Sequence, residues 1–121
     1  MPKILLVEDN EMNRDMLSRR LARRGHEVVT ADNGAQALTA AEKEKFDLVL
    51  MDLRLPDISG WEVTKQLRAR SANQALKIIA LTAHAMEGDR QAALDAGCDD
   101  YDTKPVDMVR LTEKIARLLS E

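Results

Sequence analysis

One cysteine, Cys98, is all the thiol this chain has, which excludes an internal disulfide and a cysteine-based zinc site. Aromatic side chains are nearly as scarce, with one Trp, one Tyr and one Phe. The basic residues Arg14, Arg19, Arg20, Arg23 and Arg24 therefore lack interleaved aromatics, and no opposing reading helix accompanies them. Nor is there a surplus of positive charge. Lys+Arg 18 against Asp+Glu 21 gives a net −3, which offers no overall attraction to nucleic acid or to an anionic membrane. Long apolar runs are missing as well. The stretch after Met1-Pro2-Lys3 is too short for a signal peptide, and no other run approaches a membrane span. Repeats, linkers and low-complexity tracts are absent. What remains, 45% hydrophobic and 32% charged over 121 residues, is the balance of one soluble globular domain rather than of a disordered chain. The expectation is a single domain over 1–121 with no output domain, in a reducing, cytoplasmic setting, with no nucleic-acid partner and no membrane insertion.

The segment from Asp47 to Pro56 organises the rest. Leu48-Val49-Leu50-Met51 is a continuous apolar run of the length of a strand buried on both faces, and Asp52 follows it at once. Pro56-Asp57 and Ser59-Gly60 then break regular structure. An acid at this point lies at the carboxyl edge of a sheet, where open α/β sheets collect ligands. Ile4-Leu5-Leu6-Val7 is a second such run, ending in Glu8-Asp9-Asn10, and Ile78-Ile79-Ala80-Leu81 a third, ending at Thr82. Glu27 to Ala31 reads as a strand, and a short one is expected around Asp99 to Thr103, before Lys104-Pro105.

Helical patterns fall between these strands. Met12, Met16, Leu17 and Leu21 recur at helical spacing, with Gly25 as the stop. Asn33 and Gln36 resemble a capping pair opening a helix whose Ala35, Leu38 and Ala41 share a face. Ser59 and Glu62 form a capping box before a helix that turns Val63 and Leu67 inward. Ala85 to Ala96 has helical composition but few large apolar groups, so a lightly anchored helix is expected there. Met108, Leu111, Ile115 and Leu118 define an amphipathic closing helix. Strand and helix thus alternate five times with short connections, which predicts a doubly wound parallel sheet with right-handed crossovers and helices on both faces.

In a doubly wound sheet the first, third, fourth and fifth strands can be neighbours. Their ends would then bring together Glu8 and Asp9, Asp52, Thr82 and Lys104. Carboxylates this close repel one another, so either one keeps its proton or a cation binds among them. All-oxygen ligands suit Mg2+ rather than zinc. A lysine and a hydroxyl are both phosphate-seeking groups, and together with the acids they describe a site for phosphoryl chemistry.

With Glu8-Asp9 after the first strand, Asp52 in Met-Asp-Leu-Arg-Leu-Pro-Asp-Ile-Ser-Gly, Thr82 in Leu-Thr-Ala, and Tyr101 three residues before Lys104-Pro105, the whole chain resembles a response-regulator receiver domain of two-component signalling. The piece Val7 to Asn13 is similar to receivers of hybrid kinases and of DivK-like single-domain regulators. The resemblance implies a (βα)5 flavodoxin-like, three-layer αβα fold with five strands in the order 2-1-3-4-5. It implies a phosphoacceptor switch in a phosphorelay rather than an enzyme, with Asp52 accepting a phosphoryl group from a histidine kinase or a histidine phosphotransfer protein. By the same resemblance Asp9, Asp52 and the backbone carbonyl of Arg54 bind Mg2+, with Mn2+ as a substitute, and Glu8 acts through water. Lys104 pairs with the phosphoryl group and Pro105 is a cis proline. Thr82 and Tyr101 form the switch that changes protein–protein contacts.

Two other functions use similar residue types. A Mg2+-dependent phosphatase with an aspartyl nucleophile generally carries a second acid two residues on, where this chain has Arg54. A degenerate receiver used as a scaffold would not need the complete acidic set with Thr82 and Lys104. Arg54 and His84 flank the site at positions that influence how long the phosphoryl group survives. Arg54 could either shield it or attract the incoming donor. Asp102 stands where an aliphatic residue is common and is expected to loosen the last strand, and Val106 stands where phenylalanine is common. Trp61 and Met86 read as packing or surface contacts, and Cys98 as a small packed residue. The arginines of the first helix are either a solvated face or a docking surface for an acidic kinase or phosphotransfer domain.

Overall fold

Three apolar runs become the three central strands because each can bury both faces only inside a sheet covered by helices, and two further, more polar segments, Glu27–Ala31 and Asp100–Thr103, pair at the sheet's edges. The computed structural model describes residues 2–70, 75–83 and 89–121. Its elements are β1 (Lys3–Val7), α1 (Glu11–Arg23), β2 (Glu27–Ala31), α2 (Gly34–Lys43), β3 (Leu48–Asp52), α3 (Gly60–Ala69), β4 (Lys77–Thr82), α4 (Asp89–Ala96), β5 (Asp100–Thr103) and α5 (Met108–Leu119). The strands are parallel in the order β2-β1-β3-β4-β5. This is the flavodoxin-like arrangement expected from the sequence. His84, Met86 and the expected first residues of the fourth helix lie outside the described residues.

Period-two alternation divides the strands between two cores. Leu5, Val7, Val49, Met51, Ile78 and Ala80 face one side, where Ala37 of α2, Val63 and Leu67 of α3, and Ala93 of α4 cover them. Ile4, Leu6, Leu48, Leu50, Ile79 and Leu81 face the other, under Leu17 and Leu21 of α1 and Leu111, Ile115 and Leu118 of α5. α4 is anchored by two small side chains, Ala93 and Ala96, while its Leu94 points outward at 37% exposure.

Helix starts follow the sequence closely. Asn10 Oδ1 accepts from Asn13 N–H, Ser59 Oγ from Glu62 N–H, and Asp107 Oδ1 from Arg110 N–H. Asn33 Oδ1 accepts from Gln36 N–H, but the Gln36 amide returns to Asp32 N–H rather than to Asn33. Gly25 ends α1 with φ +90°, a conformation that favours glycine.

Two expected inward positions turn out otherwise. Met12 is 80% exposed, because the first turn of α1 rises beyond the strand ends where the sheet offers nothing to pack against. Ala35 is exposed, and Ala37 is the buried residue of α2. The helix is rotated because Gly34 lies against Ile58 and Val63, so close that a Cβ there would come within 2.4 Å of Ile58 Cγ1.

These positions give opposite expectations. Leu50→Ala, at a fully buried site between β1 and β4, should cost about 3 kcal/mol by urea unfolding. Met12→Ser should stay within about 0.5 kcal/mol of wild type.

Candidate active site at the carboxyl edge of the sheet

β1 and β3 are neighbours in register, Val7 opposite Met51, so the residues that follow them surface side by side. Glu8, Asp9 and Asp52 each offer a carboxylate oxygen, and these oxygens all lie within 4.8 Å of one another. Glu8 and Asp52 are buried, at 0% and 5% exposure, while Asp9 is exposed. Lys104 arrives from the end of β5, two strands away from β3. Its Nζ stands 2.6 Å from Glu8 Oε1 and 3.2 Å from Asp52 Oδ2. Thr82, the last residue of β4, lies opposite Thr103, and its carbonyl accepts the Lys104 N–H at 2.7 Å. The candidate residues of four strand ends therefore converge.

The electrostatics are unbalanced. Burial pushes the Glu8 carboxyl up to about 7, and the neighbouring Asp52 pushes in the same direction, against the pull of Lys104 and the Asn10 N–H. Burial works against the Lys104 ammonium, but its bonds to Glu8 and Asp52 outweigh that, and its pKa is raised. Among the described residues one lysine thus leaves the three acids incompletely compensated, and the upward shift favours the protonated form of Glu8. A hard divalent cation fits this all-oxygen set, which has the donors and the excess negative charge that Mg2+ requires.

Local bonds shape the rim. Arg54 N–H donates to Asp52 Oδ1 at 3.1 Å, while the Arg54 side chain is exposed. The Lys104–Pro105 peptide is cis. Tyr101 is half-buried against the α2–α4 core, with Lys114 Nζ 5.7 Å from its ring centre and hydrogen-bonded to its carbonyl. Asp102, expected to loosen β5, instead ties it to α5, since its buried carboxylate accepts from Arg110 Nε at 2.7 Å. Cys98 packs against Thr64, and burial pushes its thiol up to about 11, so it is a core residue and a poor nucleophile.

Several residues that hold the site were not singled out in the sequence. Gly60 lets α3 begin directly against the end of β3, since a Cβ there would sit 2.4 Å from the Asp52 carbonyl oxygen. Ser59-Gly60 reads in sequence only as a break. Arg14 does more than line a basic face, because its guanidinium binds the Glu8 carbonyl at 2.9 Å and reaches the Asp9 carbonyl at 3.4 Å. Asp57, which reads as loop, caps α2 through Gly34 and Ala35 N–H.

A doubly wound α/β domain with an acidic cluster at its strand ends that could hold a cation is the class that the fold and site define. The profile of the response regulator receiver domain matches residues 4–116, and the chain belongs to that family. It is 38% identical over 122 residues to the polar-differentiation response regulator DivK of Brucella anthropi, covering 100% of this chain and 99% of that protein. It is 39% identical over 119 residues to the sensor protein GacS of Pseudomonas syringae, covering 96% of this chain but 13% of GacS. The receiver domain of a sensor histidine kinase from Pseudomonas aeruginosa, solved with a magnesium ion coordinated in its active-site cleft, superposes with a TM-score of 0.92 at 38% identity, covering 99% of this chain and 98% of that one. Receiver domains act with histidine kinases in two-component signalling. Among the described residues no helix is long and apolar enough to cross a membrane.

The raised Glu8 pKa sets a pH dependence. The folded protein holds this proton more tightly than the unfolded chain. The resulting stability is complete below the ordinary carboxyl range and is lost as pH rises through about 7. Without divalent ions, wild type should therefore lose thermal stability relative to Glu8→Gln between pH 5 and pH 8. Parallel melting curves would refute the shift.

Proposed function

We propose that the protein is a phosphoacceptor switch in which Asp52 takes a phosphoryl group from a phosphohistidine of a histidine kinase or a histidine phosphotransfer protein. A carboxylate oxygen of Asp52 attacks phosphorus, the P–N bond breaks, and the departing imidazole keeps the electron pair and is protonated from water. The product is an acyl phosphate on Asp52. What carries this reading is the convergence of Asp52 with Glu8, Asp9 and Lys104, the carboxylate oxygens within 4.8 Å of one another and the lysine 3.2 Å from Asp52.

The roles follow from charge. A dianionic phosphoryl group with Glu8 and Asp9 totals about −4, against about +3 from Mg2+ and Lys104, so neither cation is dispensable. Asp9, Asp52 and the Arg54 carbonyl would hold Mg2+, with Glu8 acting through water, and the ion would neutralise charge on the phosphoryl oxygens. Lys104 would exchange its carboxylate partners for the phosphoryl group. Thr82, already joined to Lys104 through the backbone, would donate its hydroxyl to a phosphoryl oxygen and draw its loop inward. Tyr101, half-buried one residue before Asp102, would follow by packing deeper and altering the surface around β5 and α4. Phosphorylation in this scheme shifts the population between two existing states. The light anchoring of α4 by two alanines supports it, since switching elements are drawn from the less stable parts of a fold.

Incubation with Mg2+ and a small phosphodonor, read by intact mass, should show the gain of one phosphoryl group. Chelation of Mg2+ or Asp52→Ala should abolish it. No gain in wild type, or an undiminished gain in Asp52→Ala, would sink the proposal.

A further inference from the structure

The loop from Leu53 to Ser59, which joins the acceptor strand to α3, is held at its ends by its own backbone. Leu53 N–H bonds to the Leu81 carbonyl at 3.2 Å, and Gly60 N–H to the Leu53 carbonyl at 3.1 Å. Just inside the first end, Arg54 N–H holds Asp52 Oδ1. In the middle of the loop Pro56 has no N–H to offer, and the adjacent Asp57 reaches away from the site to a different helix. Its Oδ1 accepts from Gly34 N–H at 2.8 Å and its Oδ2 from Ala35 N–H at 2.9 Å. Ile58, next in the loop, packs where a Cβ on Gly34 would stand. The loop and the start of α2 are thus interlocked by a two-pronged hydrogen bond and by close steric contact.

The donor count of α2 shows that this arrangement is built into the helix. The first four N–H groups of an α-helix, here those of Asn33 to Gln36, have no partner within it. Here the helix's own cap, Asn33, serves Gln36 N–H, and the Asn33 carbonyl serves Ala37 N–H. Gly34 and Ala35 N–H are left for Asp57. A carboxylate at a helix start also meets the favourable end of the helix dipole. The two N–H groups accordingly hold the Asp57 carboxyl below its ordinary range.

We propose that Asp57 is a positioning residue for cation binding: by docking on α2 it fixes the loop whose Arg54 backbone adjoins the Asp52 carboxylate. This rests on the reading of the acidic cluster as a Mg2+ site. Asp57 touches neither the cluster nor the cation. Its effect runs through the loop, so that α2, which contributes no residue to the site, becomes coupled to how well the site is assembled. Asparagine keeps one acceptor oxygen but turns an NH2 towards the second helix N–H, so it should loosen the dock without emptying it.

Titration calorimetry with Mg2+ alone tests this. Asp57→Asn should bind Mg2+ about tenfold more weakly than wild type, in the range seen when groups supporting metal ligands are altered. Asn33→Ala removes a cap from the same turn of α2 without touching the loop, and should lower the melting temperature yet leave Mg2+ affinity unchanged. A second measurement uses wild type only. Coupling is reciprocal, so saturating Mg2+ should slow hydrogen exchange at the Gly34 and Ala35 amides. Wild-type affinity in Asp57→Asn, an equal loss in Asn33→Ala, or exchange indifferent to Mg2+ would each overturn the coupling while leaving the Mg2+ site intact. Absence of Mg2+ binding by wild type would overturn the site and the coupling together.

Discussion

Two carboxylates, Glu8 and Asp52, are held almost wholly out of water at the ends of neighbouring parallel strands, and the lysine that compensates them stands at the end of β5. Desolvating such charges costs several kcal/mol apiece unless partners replace the lost water. Lys104 replaces part of it, and the raised pKa of Glu8 reflects the part that is left. The balance remains incomplete because three acids face one ammonium. That shortfall defines the site, since whatever is drawn into it must bring positive charge.

The rest of the scaffold serves to keep these groups in reach. Parallel pairing fixes which strand ends meet, and the two buried cores fix the height at which they surface. Loops supply the finer placement. Arg14 pins the carbonyls of the Glu8-Asp9 turn, Gly60 allows α3 to start against the Asp52 carbonyl, and Asp57 moors the acceptor loop to α2. All three act on backbone groups.

The opposite flank is built to hold less firmly. α4 contributes two alanines to the core, whereas β5 and α5 are laced by polar ties: Asp102 to Arg110, Asp100 to Arg117, and the Tyr101 carbonyl to Lys114. Polar ties of this kind can be exchanged at modest cost, while apolar burial cannot. The apolar face of α5 is held as firmly as that of α1, since Leu111 and Ile115 close the core beside Leu17 and Leu21, so α4 is the lightly anchored element of this flank.

Strand runs, helix periods and capping residues made the fold readable from the chain. Each depends on local spacing: apolar runs such as Leu48 to Met51 for strands, and pairs such as Ser59 with Glu62 for helix starts. The acids, Thr82 and Lys104 were readable for the same reason, because each directly follows or ends a strand run and parallel topology gathers strand ends at one edge. Errors of face arose where the surroundings rather than the period decided: Met12 has nothing to pack against, and at Ala35 the contact of Gly34 with Ile58 and Val63 sets the rotation of the helix. What the chain alone determined was therefore the order of elements and the list of groups at the edge. The tertiary structure alone decided that Lys104 bridges Glu8 and Asp52, that one oxygen of Asp102 ties β5 to α5 while the other is buried without a partner among the described residues, and that Asp57 belongs to α2. Those are contacts between residues dozens of positions apart or on different elements, and no local periodicity encodes which distant partner a charge will find.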